Sequence, residues 1–581
     1  MPSIMNKRLS LLQNRRQFLK VAGSGLISFG LFGCAHPLGL PSFFKRGEET
    51  THHDLTFSSP IDRSDQNLPQ NTFSGDRPHR AHSILWNKKS HLAQIQSQAH
   101  TIPTEEAEIV IVGGGISGLM SSYFLKDRAP ILLEQAPQFG GNAKAESWEG
   151  VNYATGAAYV TTPEVGSPID LFWRELGIHS QAKTWNGEEH LFIDGKLHTE
   201  YWSHGTHPSS RRQFQKVSNH FRKIKNEEKG LLYPDIPTYE PKTRAFLNHL
   251  DQVSLLAYIE NLLQEPVHSD LKHFLNYYCW TAFGGSAHEI SAAMGLNFLV
   301  SELDSVSVFP GGNAAIAEAV FEKLKSYFHQ NKIQNRLRPS SIVFHVEWGP
   351  KSNRVYYLDQ NDKLRCIQSQ YVILSCPKYV VKTLLPHLEP ERLHAIQSLK
   401  YRSYIVGSAL VEEKLKKRFF DTYFLPGPSY QAPASIKDEA LQQGATDVIL
   451  GSFASTQENH TVLTLSHSLP YDGTREELLR PGVYEKFQKK FETQLHDLIL
   501  PALKLSPHHL RGIKLARWGH PLPLSTPGLL SKNIVDWLHK PFKDSIYFIE
   551  QDNWALPCFE TAFFEAKKWT SEIRSKLRST A

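Results

Sequence analysis

Cysteine is scarce in this chain: 581 residues hold five, at positions 34, 279, 366, 376 and 558. None forms a Cys-x-x-Cys pair, and no cysteine and histidine fall at ligand spacing. Neither a cysteine-based zinc site nor a dithiol redox centre is therefore suggested, no metal is expected, and no disulfide is indicated. Beyond the first 33 residues no apolar run is long enough to cross a bilayer, and no internal repeat stands out. Net charge is nearly absent too. The formal surplus is +6, but Lys7, Arg8, Arg15, Arg16 and Lys20 supply five of those charges, with no acid among the first 33 residues. The remainder is close to neutral, which excludes a nucleic-acid partner, since that needs a basic face.

The N-terminal charge has a pattern. Asn14-Arg15-Arg16-Gln17-Phe18-Leu19-Lys20 precedes an apolar stretch from Val21 to Phe32, which predicts a twin-arginine export signal; a basic amphipathic membrane anchor is the alternative. Leu31-Phe32-Gly33-Cys34 resembles a lipoprotein cleavage box with Cys34 as the lipidated residue, and cleavage after Ala35 is the other reading. The expectation is a periplasmic protein, anchored to the membrane if Cys34 carries lipid. Residues 35–105 are rich in Ser, Pro, Asn, Gln, His and charge with little periodicity, and are expected to form a polar tether or arm.

The chemistry begins at Ile109. Ile109 to Val112 form a continuous apolar run, as in a parallel strand buried on both faces. Gly113 permits the tight turn out of the strand, Gly115 lets a pyrophosphate approach the backbone, and Gly118 lets the next helix pack closely. That helix, opening at Ile116-Ser117, points its free N–H groups at the phosphates. A second strand, Ile131 to Leu133, ends at Glu134, where an acid accepts hydrogen bonds from ribose hydroxyls. Together these predict an adenine-dinucleotide site in an α/β, Rossmann-like domain.

Further segments narrow the cofactor. Gly140-Gly141-Asn142 follow Glu134, the stretch Val151 to Ala157 bears Gly156-Ala157, and Ile546 to Ala562 reads as a strand, an acidic loop and a helix start. This arrangement resembles the flavin-containing amine oxidase superfamily, which also includes phytoene desaturases and protoporphyrinogen oxidases. The likeness extends over about residues 106–569 and is closest to an exported bacterial subgroup similar to spermidine dehydrogenases. The resemblance implies FAD as cofactor. It places Gly141 and Asn142 along the pyrophosphate, Gly156 and Ala157 among the cofactor-binding residues, and Val343 beside the adenine. Asp552 and Phe559 fall at the returning ribityl and pyrophosphate. The sequence departs from the family in having Asn142 where an arginine is usual, Thr561 where a second glycine is usual, and Cys558 near the place of a cage aromatic. No lysine matches the family's water-binding lysine.

A glutathione-reductase-like FAD domain built from 106–165, 305–385 and 515–581 is thus expected, interleaved with an α+β substrate domain from 166–304 and 386–514. The resemblance puts Trp518 and His520 beside the flavin as substrate-side candidates. His520 is read either as a base at neutral pH, given its unperturbed pKa of about 6.5, or as a histidine holding the turn. Trp554 and Cys558 flank the flavin-facing loop. Cys558 is expected to be buried, with covalent flavin attachment as the alternative. Tyr277, Tyr278, Trp280 and Phe283 either wall a pocket or fill a core. Three activities are compatible with these residues: oxidation of an amine or polyamine, oxidation of a hydrophobic carotenoid- or porphyrin-like substrate, and flavin binding without turnover. The substrate is a small molecule; oxygen, a quinone or a cytochrome serves as electron acceptor.

Overall fold

The computed structural model describes residues 58–579, apart from 64–71, 99–100, 304, 416–418, 428–432, 434 and 458. The twin-arginine stretch and Cys34 lie outside the described residues. The first layer is built on β1 (Thr104–Val112), which pairs in parallel with β2 (Ile131–Leu133) through the helix Ile116–Phe124. The short strand β3 (Leu337–Arg338) continues the sheet beyond β2. On the other side of the sheet β4 (Ile342–Glu347), β5 (Asn353–Leu358) and β6 (Leu364–Leu374) form an antiparallel meander, with β6 also parallel to β1. The terminal strand Ile546–Phe548 pairs in parallel with the end of β6.

Ile109, Val110 and Ile111 are fully buried, as a run apolar on both faces requires. The helix Ile116–Phe124 packs against the terminal helix Phe559–Ser579, where Phe124 and Phe563 meet edge to face at 6.0 Å.

The second layer is an eight-stranded sheet. Its order is Lys196–His198, His190–Ile193, Asp421–Phe424, Asp447–Leu450, Thr461–Leu469, Tyr401–Val411, Leu510–Pro523 and Ser74–Gly75. A helical stretch covers it, including Arg211–Lys225, Leu255–Leu263, Ser269–Phe283 and Ala292–Ser301. The strand Leu510–Pro523 belongs to this sheet along its whole length. The domain border expected at 515 therefore falls inside a strand, and the chain leaves the sheet only after Pro523. Alternation along the strand hid this, since both of its faces are largely covered.

The polar arm is a larger correction. Its described part is not a loose tether. Ile61–Asp62 pairs in parallel with Ala145–Glu146, and Ser74–Gly75 adds an edge to the large sheet. Pro78–Trp86 is a helix with buried Ala81 and Ile84. Pro at its first turn and apolar residues three and four apart are helix signals that the surrounding polarity masked. Asp76 pins the arm by accepting from Gly519 N at 2.8 Å and Arg517 Nε at 3.2 Å.

Within the large sheet His467 is 1% exposed, and its Nδ1 donates to the Gly444 carbonyl at 2.6 Å. Burial, then Lys490, pushes its pKa down to about 3. The unfolded imidazole takes up a proton near pH 6.5 that the folded one refuses, so stability falls as pH drops through that range. Replacing His467 with Gln is expected to shrink the loss of stability between pH 7 and 5 by about 2 kcal/mol, as measured from denaturation midpoints at the two pH values.

Candidate cofactor and active site

At the carboxyl ends of β1, β2 and β6 lies a cleft of about 1040 Å³ including its open mouth, a size suited to a large cofactor. Three glycines shape it in different ways. Gly113 has φ +107°, and a Cβ there would stand 2.3 Å from the Ser375 carbonyl oxygen. A Cβ on Gly118 would lie 1.9 Å from the Gly113 carbonyl oxygen, so only glycine lets the helix seat against the turn. Gly115 differs: the nearest atom to its absent Cβ is 3.7 Å away, and the residue lines the cleft. Its role is to leave room in the cavity, where the helix N-terminus offers unpaired N–H groups to an anion.

Glu134 lies at the cleft wall, its Oε2 accepting from Gly114 N at 2.6 Å and its Oε1 from Ala136 N at 2.8 Å. Burial raises its proton affinity, and Lys144 and the backbone N–H groups oppose that shift. Ser117, Gly141, Asn142, Val343 and Asp552 also line the cleft. The buried Asn142 Oδ1 and Ser375 Oγ face it without hydrogen-bond partners. An unsatisfied buried polar group costs about 1–3 kcal/mol, so both are groups that a polar ligand relieves. Ile342, Val343, Val380 and Leu384 make one end apolar, and Ala81 and Leu85 of the N-terminal arm close over it. An apolar end, a glycine-lined middle and an acid at the strand end fit an adenine dinucleotide.

Gly118, Gly156, Ala157 and Phe559 do not line the cleft but support it. Ala157 N donates to the Asn142 carbonyl at 3.2 Å, and a Cβ on Gly156 would meet that same oxygen at 2.3 Å. Phe559 is buried at the start of the terminal helix, of which Ala562 reaches the cleft.

The inner end is acidic. Asp552 Oδ2 accepts from Tyr401 Oη at 2.6 Å and from Lys378 N at 3.1 Å. Glu550 accepts from Asp552 N at 2.6 Å, and the Lys378 ammonium sits between Glu550 and Asn553. Burial and then Asp552 raise the proton affinity of Glu550, and Lys378 opposes them. Lys378 is 1% exposed, so removing it would leave a buried carboxylate uncompensated, at a cost of about 3–5 kcal/mol. Sequence reasoning singled out Asp552 and missed Glu550, although the spacing Glu550-x-Asp552 was visible. It also missed Ala81, Leu85 and Cys376 on the cleft wall, the first two because their segment was read as a tether.

The three substrate-side candidates are placed differently. Trp518 is fully buried and its Nε1 donates to the Thr155 carbonyl at 2.8 Å. It braces the Thr155–Ala157 turn from behind. Trp554 is turned away from the cleft: its Nε1 donates to Glu565 at 2.9 Å and its ring stacks on His539. His520 lies 5.0 Å, ring to ring, from Tyr379 and 5.9 Å from Tyr401. Burial, then Arg475 and His82, pull its pKa well below the ordinary histidine value. It is thus uncharged and a feeble base at neutral pH, not poised there as the unperturbed value suggested. Cys558 is buried against Thr561, its Sγ 2.8 Å from Oγ1, and does not line the cleft.

A parallel sheet with a glycine turn, an acid at the end of the second strand, and an N-terminal helix closing over the cleft define a dinucleotide-dependent oxidoreductase. Residues 116–523 match the flavin-containing amine oxidoreductases, so the chain belongs to that family and is an FAD-dependent oxidoreductase. Oxidoreductase PigB of Serratia sp. (strain ATCC 39006) is 20% identical over 533 residues, covering 82% of this chain and 76% of the relative. Among solved structures, a putrescine oxidase double mutant superposes with a TM-score of 0.58 at 17% identity, over 81% of this chain and all of that one. Cyclohexylamine oxidase from Brevibacterium oxydans IH-35A gives 0.59 at 14% identity, over 81% and 99%. These two similarities bear on the fold.

The glycines separate folding from binding. Gly115→Ala is expected to fold normally but to bind FAD about tenfold more weakly, a loss of about 1.4 kcal/mol, in fluorescence titrations of apoprotein. Gly118→Ala is expected to destabilise the fold by more than about 3 kcal/mol, seen as a lowered denaturation midpoint.

Proposed function

We propose that this protein is an exported FAD enzyme that oxidises the C–N bond of an amine, with polyamines within its substrate class. The supporting observation is the 2.6 Å Tyr401–Asp552 hydrogen bond, which ties the acidic inner end of the cleft to the Tyr401–Val411 strand of the second sheet. The facing surfaces of the two domains therefore meet where a redox ring extending from the cleft needs a substrate wall. Putrescine oxidase and cyclohexylamine oxidase, which share the fold, are named for amines, and this supports the choice of substrate.

FAD, when bound, supplies the hydride acceptor for the carbon next to nitrogen, chemistry that no side chain offers. The chain's own part is to bind, orient and exclude water. With FAD in place, Gly115, Ser117, Asn142 and the helix N-terminus would hold the pyrophosphate, Glu134 the ribose, Val343 the adenine, and Asp552 with Glu550 the inner polyol. Trp518 fixes the turn carrying Gly156 and Ala157. His520, being uncharged, adds no positive charge to repel a substrate ammonium.

Two measurements test this. The holoprotein's flavin absorbance near roughly 450 nm is expected to bleach when putrescine or cyclohexylamine is added under nitrogen and to recover with an electron acceptor. Bleaching only by a carotenoid- or porphyrin-like molecule overturns the amine reading, and oxidised flavin that neither class reduces points to a non-catalytic flavin carrier. Export is carried by Arg15-Arg16 ahead of the Val21–Phe32 stretch. Changing both arginines to lysine is expected to leave the protein in the cytoplasm on cell fractionation, whereas unchanged export contradicts a twin-arginine signal.

A further inference from the structure

Lys144 is a buried cation without a counter-ion in contact. It is 5% exposed and lines a cavity separate from the cofactor cleft. Its backbone is fixed, the Lys144 carbonyl accepting from Thr155 N at 3.0 Å and from Thr155 Oγ1 at 3.2 Å. Among the described residues, its ammonium forms no hydrogen bond and no ion pair. Glu134 and Asp76 attract it from a distance, but both are engaged elsewhere. Glu134 accepts from Gly114 N and Ala136 N, and Asp76 from Gly519 N and Arg517 Nε. Burial pulls the pKa of Lys144 down to about 8; Glu134 opposes that fall and Arg77 adds to it. The group still carries its charge at neutral pH, and a buried charge without a partner is costly.

The cavity measures about 1030 Å³ including its open mouth. Three parts of the chain meet there. Arg77 comes from the N-terminal arm, one residue ahead of the Pro78–Trp86 helix. Lys144 precedes the strand Ala145–Trp148, and Lys514 belongs to the Leu510–Pro523 strand of the large sheet. The acids on the wall are Asp62 and Glu146. Glu146 is taken up by Lys514 Nζ at 3.4 Å and by the Tyr153 hydroxyl at 3.0 Å. The Arg77 side chain is exposed and, among the described residues, forms no hydrogen bond or ion pair. Two unpaired cations thus repel one another across a polar cavity.

We propose that this cavity binds a tetrahedral oxyanion of the phosphate class between Lys144 and Arg77, with Lys514 beside it, and that the anion fastens the N-terminal arm over the cofactor. Cations arriving from three directions suit a tetrahedral anion, whose oxygens accept on several sides, better than a planar carboxylate. The arm is the moving part that such an anion controls. Ala81 and Leu85, in the helix that follows Arg77, close the apolar end of the cofactor cleft. Drawing Arg77 toward Lys144 therefore holds that helix in place and retains FAD. The inference is independent of which substrate is oxidised.

The test titrates holoprotein with inorganic phosphate, and separately with acetate at matched ionic strength, by calorimetry. FAD release is then timed from the appearance of free flavin fluorescence after dilution. One phosphate is expected to bind per chain, and acetate not to bind. With phosphate at about ten times its dissociation constant, FAD release is expected to slow about tenfold, because the anion binds only the closed arm. Arg77→Gln, checked for normal flavin content and denaturation midpoint without phosphate, is expected to bind phosphate about tenfold more weakly and to lose most of that slowing. Lys144→Met is expected to abolish both; should it fail to fold or to load FAD, Arg77→Gln and Lys514→Gln carry the comparison. No phosphate binding by the wild type, equal binding of acetate, or undiminished binding in Arg77→Gln overturns the site. Binding that leaves FAD release unchanged overturns the fastening role, and faster release in phosphate places the anion in the cofactor cleft and overturns the proposal as a whole.

Discussion

Half way along its eleven residues the Leu364–Leu374 strand exchanges an antiparallel neighbour, Asn353–Leu358, for a parallel one, Ile546–Phe548, while remaining paired to Thr104–Val112 on its other side. Backbone hydrogen bonds enforce this exchange, because a buried strand cannot leave its N–H and C=O groups unpaired. As a result Gly113, Ser375 and Glu550 emerge together at one end of the sheet, though they are separated by hundreds of residues. The cofactor cleft occupies the space between these emerging chains. Its glycines follow from the crowding: Gly113 lies under the Ser375 carbonyl, and Gly118 under that of Gly113.

The second domain is held to that edge by few but well-buried links. Tyr401 reaches Asp552, Trp518 braces the Thr155 turn, and Asp76 fastens the N-terminal arm to the large sheet. The arm then lays Ala81 and Leu85 over the apolar end of the cleft. A segment preceding the first strand thus becomes part of the cofactor wall. Glu550 and Asp552 also line the cleft, and the buried Lys378 ammonium offsets both carboxyls.

Much of the first domain was legible in the sequence because its signals are local. A buried parallel strand must be apolar on both faces, and a phosphate turn must be glycine where the backbone crowds, so Ile109–Gly118 and Glu134 could be read from spacing alone. What escaped depended on tertiary contact. The arm's short apolar spacing at Ala81, Ile84 and Leu85 was outweighed by surrounding polarity. Trp518 and Trp554 looked alike as aromatic residues near the flavin, yet one supports the turn and the other packs against Glu565. The lowered proton affinity of His520 comes from burial, Arg475 and His82, the last two reaching it from distant parts of the chain.

The central claim is that remote segments jointly grip one FAD molecule, and hydrogen–deuterium exchange on apo and FAD-loaded protein tests it most directly. Adding FAD is predicted to slow exchange together at Gly113–Gly118, Gly140–Asn142, Ser341–Val343, Glu550–Asp552 and the Ala81–Leu85 helix turn. Protection confined to one of these segments, or appearing elsewhere with Gly113–Gly118 unchanged, would contradict the account.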